Sequence, residues 1–145
     1  MDFSFPREAE AFRAEVRSFL AEHLTEEMIE ATHDGTVHAP ELHRAMAERG
    51  WLAGAVPAEL GGGGRDPILS AVLIEELQLA RAPIDAMAVT VVVASILLEH
   101  GDTFLRDEVV PRLLDGSALG CFGYTEPESG SDVAAARTLS LIHIS

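Results

Sequence analysis

A run of thirteen residues without a charged side chain, residues 86–98, constrains the fold more than any other feature of the sequence. It is too short to cross a membrane, which takes roughly 17 to 25 apolar residues. Its β-branched residues, Val89 and Val91 to Val93, suit a strand as well as a helix. The length from Asp85 to His100, with Gly101 directly after it, favours a helix. Because this helix has no polar face, we predict that it lies at the centre of the core.

The first 117 residues carry the start and stop signals of further helices. Predicted starts lie at Pro6, Thr25, Pro40, Asp66-Pro67 and Asp102, and predicted ends lie at Gly35, Gly50, Leu79 and Gly116. Pro111 should split the last of these helices into two short pieces. Residues 51–57 are apolar and are predicted to be extended. The predicted fold class is mainly α.

The charge balance disfavours one class of function. The net charge is −14, with ten arginines and no lysine, so binding to nucleic acid through phosphates is disfavoured. A site for a polyanion must therefore contain a local arginine or lie elsewhere in a longer protein. The N-terminus lacks a basic region followed by an apolar run, which predicts a cytoplasmic protein without a signal peptide. The single cysteine, Cys121, and the six scattered histidines do not match a metal-binding pattern.

Two other features have an ordinary structural interpretation. The run Gly61 to Gly64 lacks the Lys-Ser/Thr ending of a phosphate-binding loop, so we predict a connection between helices. Glu75 and Glu76 are adjacent carboxylates on an otherwise apolar helix. We expect one to be solvated and the other to pair with an arginine of a neighbouring helix.

Residues 122–132 have the sequence FGYTEPESGSD, which lacks the helical pattern of the preceding residues. Leu119 to Tyr124 is predicted to be a short strand that ends before Pro127, because proline lacks a backbone donor. The following residues are typical of a turn, in which Gly130 tolerates a positive φ. Such a turn would present the hydroxyls of Thr125 and Ser131 to a polar ligand, although the same composition also occurs in turns without a ligand.

The segment closely resembles the flavin-contacting motif of the acyl-CoA dehydrogenases, aromatic-x-x-Thr-Glu-Pro-x-x-Gly-Ser-Asp. Residues 50–62, 74–77 and 100–116 also resemble that family. The resemblance implies an N-terminal helical domain over residues 1–117 and the first strands of a middle β-barrel domain over residues 118–138. Residues 139–145 do not resemble the family continuation and suggest a frameshift, read-through into foreign sequence or a truncated gene model.

The resemblance also implies FAD as cofactor and an acyl-CoA thioester as substrate, in fatty-acid metabolism. The cofactor-binding residues would be Phe122, Gly123, Tyr124, Thr125, Gly130 and Ser131, and Ser131 would also contact the substrate. Tyr124 departs from the commoner small or β-branched residue, which leaves its contact with the flavin edge open. Glu126 is interpreted as a structural acceptor, because the family's catalytic base lies in the C-terminal domain.

No catalytic residue is therefore expected in this sequence, and the activity would belong to a full-length protein. Electron-transfer flavoprotein as electron acceptor and a homo- or hetero-tetramer are further implications of the resemblance. Two alternatives stay open at this point. One is an acyl-CoA oxidase, and the other is a non-catalytic helical subunit or interaction module of the same fold.

Overall fold

The computed structural model describes residues 5–35, 38–123 and 125–138. Within them the chain is mainly helical, as predicted. The α-helices are α1 (Arg7–His23), α2 (Glu26–Ala31), α3 (Pro40–Glu48), α4 (Trp51–Gly54), α5 (Pro67–Leu79), α6 (Asp85–His100) and α7 (Val110–Leu114). Single 3₁₀ turns lie at Thr32–Asp34, Ala58–Leu60 and Val133–Ala135, and a π-helical turn at Leu105–Val109 leads into α7. No helix of the described ranges is long and apolar enough to cross a membrane.

Three helix starts have the side-chain caps that the sequence predicted. The Thr25 hydroxyl accepts a hydrogen bond from the Met28 N–H at the start of α2. The Asp66 carboxylate accepts one from the Ile68 N–H at 2.7 Å, with Pro67 as the first residue of α5. Asp102 caps the next helical segment in the same way, through the N–H of Leu105. These bonds satisfy backbone donors that have no partner inside a helix.

The main core forms where α1 lies along α5. Phe19 of α1 and Leu77 of α5 are fully buried there, together with Trp51 of α4. The ring centroids of Phe19 and Trp51 are 4.6 Å apart, in an edge-to-face arrangement that aromatic pairs prefer. A second, smaller cluster of Ala94, Val110 and Leu113 joins α6 to α7.

Residues 51–57 correct one prediction, because they begin with a helical turn and not with an extended segment. Gly50 takes a φ of 69°, and α4 then runs over Trp51–Gly54. Arg65 holds this turn by donating to the carbonyl oxygens of Trp51 and Gly50, at 3.1 and 3.3 Å. The local sequence does not indicate the long-range contact with Arg65. The run of apolar residues therefore favoured an extended segment.

Helix α6 has the predicted bounds but not the predicted central position. Only Met87, Thr90 and Ala94 are buried, whereas Val92 and Ile96 are 48% and 49% exposed. One face packs against α7 and the opposite face is left uncovered by the described residues. An apolar residue on every face gives no signal of which face turns inward, so the prediction of a wholly buried helix was wrong.

The predicted strand at Leu119 to Tyr124 is also not observed. Residues 119–123 form no ladder, and Tyr124 lies outside the described residues. A strand needs a partner to accept and donate its backbone hydrogen bonds, and none of the described segments supplies one. An isolated bridge joins Glu126 to Ser129. The tail, residues 139–145, lies outside the described residues.

Candidate functional site

The loop that follows the helices is organised around a tight turn at Glu126 to Ser129. The N–H of Glu126 donates to the Ser129 carbonyl at 2.8 Å, and the N–H of Ser129 donates to the Glu126 carbonyl at 3.1 Å. Pro127 occupies the second position of this turn, where its fixed φ is favourable. Ser129 is buried, and its hydroxyl donates to the Asp132 carbonyl at 2.8 Å. The turn is therefore held by backbone and side chain together.

The Glu126 carboxylate ties both ends of the loop together. It accepts the N–H groups of Arg137 and Thr138, the closest at 2.8 and 2.6 Å, and the hydroxyl of Thr138. The Thr138 hydroxyl and then the two N–H groups lower the pKa of Glu126 below its ordinary value. A carboxylate engaged in this way is a poor proton acceptor, which confirms its interpretation as a structural acceptor. Its partners, eleven and twelve residues away, leave no signal in the sequence.

The turn presents the predicted site residues on the surface. Thr125, Gly130 and Ser131 are exposed, and the Thr125 methyl lies 3.9 Å from the position that a Cβ on Gly130 would take. Phe122 is 44% exposed, and Gly123 faces open space. Tyr124 lies outside the described residues, and the cofactor-binding roles of all six residues stay predictions. The structure thus brings Thr125 beside Gly130 and leaves Phe122 and Gly123 on the approach to the loop.

Both predicted hydroxyls belong to exposed residues. Among the described residues, no hydrogen bond engages the side chains of Thr125 and Ser131 or the N–H groups of Gly130 and Ser131. Adjacent exposed N–H and hydroxyl donors suit an anionic ligand, because each can donate to an oxygen without losing a protein partner. Arg137 adds a cationic side chain to the same loop, and this side chain is exposed.

The approach to the loop is attached to α6. The N–H of Gly120 donates to the Thr90 hydroxyl at 3.0 Å. A hollow of about 330 Å³ lies at this junction and is lined by Asp85, Ala86, Val89, Leu119, Gly120 and Cys121. Sequence reasoning missed Thr90, because a lone threonine within an apolar helix carries no motif.

The other candidate groups have structural roles. Glu76 is buried between two arginines of α1, with Arg17 Nε 2.7 Å from its carboxylate and Arg13 also in contact. Hydrogen bonds from Arg17, and less strongly from Arg13, lower the pKa of Glu76. Glu75 is half-exposed and contacts Arg13. The pairing of buried Glu76 with arginines of a neighbouring helix confirms one half of the prediction, whereas Glu75 was expected to be solvated and is half-exposed but also paired with Arg13.

The glycine run is a helix connection, as predicted. The N–H groups of Gly62, Gly63 and Gly64 donate to carbonyl oxygens of residues 53–57, at 2.8 to 3.1 Å. These donors are consequently unavailable to a phosphate. No group of three or more potential metal ligands occurs in the parts of the chain that the structure describes.

Comparison with known proteins identifies the family. The model of the family described as "Acyl-CoA dehydrogenase, N-terminal domain" matches residues 6–117. Because this match covers most of the sequence, the chain belongs to the acyl-CoA dehydrogenase family. The resemblance noted in the sequence is thereby confirmed.

Individual relatives are similar along nearly the whole chain. The acryloyl-CoA reductase (NADH) of Anaerotignum propionicum is 29% identical over 143 residues, which is 98% of this chain and 36% of that protein. The glutaryl-CoA dehydrogenase of Desulfococcus multivorans is 31% identical over 140 residues, 93% of this chain and 36% of that protein. The chain therefore spans little more than a third of the length of these relatives.

Solved structures share the fold. The ChsE4-ChsE5 complex from Mycobacterium tuberculosis superposes with a TM-score of 0.80 and 31% sequence identity, over 95% of this chain and 35% of that chain. A steroid acyl-CoA dehydrogenase, Tcur3481-Tcur3483, gives a TM-score of 0.78 at 30% identity.

Proposed function

We propose that this chain is the N-terminal part of an FAD-dependent oxidoreductase that introduces an α,β double bond into an acyl-CoA thioester. The observation that carries the proposal is the braced loop 125–138. Its turn is fixed by Glu126 and Ser129, and it leaves the hydroxyls of Thr125 and Ser131 exposed. A loop that is ordered internally while its polar groups point outward is prepared to receive a ligand with little loss of entropy.

Different residues of this loop would contact different parts of the cofactor. Thr125 would donate its hydroxyl to the flavin ring, and Gly123 and Tyr124 would offer backbone groups to its pyrimidine edge. Phe122 would pack on the ring system. Bound FAD supplies the hydride acceptor, and the protein groups orient it and tune its ring.

Gly130 and Ser131 form the anion-binding part of the proposed site. Their exposed N–H groups and the Ser131 hydroxyl suit the pyrophosphate of FAD and the coenzyme A portion of the substrate. Arg137 supplies the local cation that a polyanion needs on a chain with a net charge of −14. Its backbone N–H is bonded to Glu126, so its position in the loop is fixed.

We assign no catalytic base to this chain. Glu126, the acidic residue inside the motif, is engaged by Arg137 and Thr138. We propose a helical domain over residues 1–117 and the start of a β-domain over residues 118–138. The base and the second half of the flavin site would belong to the part of a full-length protein that matches the remaining length of the relatives.

The proposal extends to the substrate class, the partner proteins and the direction of the reaction. The names of the relatives include a glutaryl-CoA dehydrogenase and an acryloyl-CoA reductase (NADH), so acyl-CoA thioesters are the shared substrate class. Electron-transfer flavoprotein would accept the electrons if oxidation is the physiological direction. One similar structure is the ChsE4-ChsE5 complex, which supports a homo- or hetero-oligomer, with a tetramer as the expected form. We place the protein in the cytoplasm.

Flavin spectroscopy of a full-length protein carrying this segment tests the proposal. We expect a yellow protein with stoichiometric FAD, bleached by an acyl-CoA thioester when a dye accepts the electrons. Rapid turnover with oxygen alone would instead identify an acyl-CoA oxidase. A protein that folds but neither retains FAD nor reduces the dye would contradict the proposal and leave a non-catalytic module of this fold.

A further inference from the structure

Thr90 of α6 has a completely buried side chain whose hydroxyl both donates and accepts a hydrogen bond. Its hydroxyl donates to the Ala86 carbonyl at 2.7 Å and accepts the Gly120 N–H at 3.0 Å. A hydroxyl has one hydrogen to donate, so the bond to Ala86 fixes the direction of its remaining lone pairs. The acceptor that Gly120 meets is therefore held in one orientation.

Two hydrogen bonds hold the segment that leads into the proposed flavin loop. The N–H of Ala118 donates to the Arg112 carbonyl at 2.9 Å, and Gly120 follows with its bond to Thr90. Gly120 also lies against Val93, since a Cβ built on it would be 2.8 Å from the Val93 Cβ. The next residues, Cys121 to Gly123, are exposed.

We propose that Thr90 is a positioning residue for the flavin loop. By holding the Gly120 N–H, it sets the place and direction in which the chain leaves the helical domain, two residues before Phe122. The inference rests on the proposed function, because the loop matters only if it receives FAD. A site displaced by about 1 Å can lose much of its effect even when every group is present.

Helix α6 offers a matched control in Ser95. Its hydroxyl donates to the Val91 carbonyl at 3.0 Å, which is the same local bond that Thr90 makes to Ala86. Within the described ranges, no backbone group from another segment donates to Ser95. Ser95→Ala therefore removes the local bond alone, whereas Thr90→Val removes the local bond and the anchor.

Hydrogen exchange on the present chain tests the anchor directly. In Thr90→Val, the Gly120 amide should exchange roughly tenfold faster, since a lost hydrogen bond of about 1.4 kcal/mol corresponds to a factor of ten. Thr90→Ser keeps the hydroxyl and should restore protection, and Ser95→Ala should exchange like the wild type. Unchanged protection of Gly120 in Thr90→Val would overturn the inference.

Flavin binding by the full-length protein tests the consequence. Thr90→Val should weaken FAD binding about tenfold and shift the visible flavin band, while Thr90→Ser and Ser95→Ala keep wild-type values. A wild-type protein that binds no flavin would refute the proposed function, and the exchange result would still decide the anchor. A wild type that binds FAD together with an equally tight Thr90→Val would refute the positioning role.

Gly120→Ala provides a second variant in case Thr90→Val does not fold. It keeps the Thr90 hydroxyl but places a Cβ against Val93, so the segment must move away from α6. We expect weaker FAD binding with a flavin band altered in the same direction. Wild-type flavin affinity and spectrum in Gly120→Ala would contradict the inference, because the loop would then tolerate a displaced anchor.

Discussion

At the scale of single residues, the buried ionisable side chains Glu76 and His43 differ in whether they have polar partners. Glu76 is buried with two arginines as partners. His43 of α3 is buried with neither ring nitrogen hydrogen-bonded, and the ring of His38 lies 5.1 Å away. Burial, followed by repulsion from His38, lowers the pKa of His43. The first residue stays charged at neutral pH and the second stays neutral.

His43 predicts a loss of stability in mild acid. Below about pH 6.5, the ordinary pKa of histidine, His43 is protonated in the unfolded chain. In the folded chain it remains neutral until its lowered pKa is reached. The free energy of unfolding should therefore fall with decreasing pH by up to about 1.4 kcal/mol per unit, until the lowered pKa is passed. Denaturant titrations from pH 5 to 8 measure this slope.

The variant His43→Leu should flatten most of that slope. A remainder is expected from His38, whose pKa is also lowered by burial. The same replacement at exposed His33 serves as the control and should preserve the slope. An unchanged pH dependence in His43→Leu would assign the acid sensitivity to other groups.

Ser131 carries the residue-scale prediction about ligands. In a full-length protein, Ser131→Ala should weaken binding of FAD or acyl-CoA by roughly 1–3 kcal/mol, because an oxygen of the ligand loses its donor. Ser129→Ala is the informative comparison, since that hydroxyl is buried and bonded to Asp132. It should alter stability and leave the ligand contact in place. Wild-type affinity for both ligands in Ser131→Ala would remove the proposed role.

At the scale of elements, helix ends were predictable and helix faces were not. Thr25, Asp66 and Asp102 cap their helices because the rule is local: a short oxygen-bearing side chain meets an N–H two or three residues away. Which face of α6 is buried depends on the elements that pack against it. Because its sequence is uniformly apolar, it does not indicate that face. The same limit applies to the site. The motif predicts a ligand-binding role for the hydroxyls of Thr125 and Ser131, which stays a prediction, whereas the bonds of Glu126 and Thr90 involve residues distant in the sequence.

The exposed face of α6 predicts an asymmetric response to charge. On the present chain, Val92→Asp should change the free energy of unfolding by no more than about 0.5 kcal/mol, as at other surface positions. Ala94→Asp, at a position that is fully buried, should cost several kcal/mol. Equal and large losses from both substitutions in urea titrations would show that the Val92 face is covered.

The end of α5 predicts a stabilising substitution. Arg81 has a φ of 59°, and the N–H groups of Ala82 and Arg81 bond to the carbonyls of Leu77 and Gln78 in the Schellman pattern. Glycine adopts this conformation without strain, so Arg81→Gly should raise the free energy of unfolding by about 0.5–1 kcal/mol. Gly50→Ala, at a φ of 69°, should lower it. A lower melting temperature for Arg81→Gly would indicate that the arginine side chain contributes more than the backbone strain costs.

At the scale of the whole molecule, the chain holds a helical domain with its own core and a loop that touches it at few points. The main cluster between α1 and α5 and the smaller one between α6 and α7 contain most of the buried apolar residues. Residues 130–138, in contrast, are exposed throughout. The loop would therefore form one wall of a flavin site, and the remaining walls require further protein.

We accordingly predict that these 145 residues alone fold but neither retain FAD nor oxidise an acyl-CoA. Tight sites bury about 70–90% of a ligand of this kind, and a single exposed loop cannot. The measurement is the absorbance of the purified chain in the flavin band, followed by dye reduction with a panel of thioesters. A purified chain with stoichiometric FAD and turnover would contradict both the proposal that it holds only part of the flavin site and the proposal that it lacks the catalytic base.

The placement of two unique side chains makes the junction observable by fluorescence. Trp51, the only tryptophan, is buried in the helical core, and Cys121, the only cysteine, is exposed one residue beyond the Gly120 anchor. A thiol-directed acceptor dye would attach at Cys121 alone, with Trp51 as the intrinsic donor. Energy transfer between them would then report the distance from the core to the loop in solution.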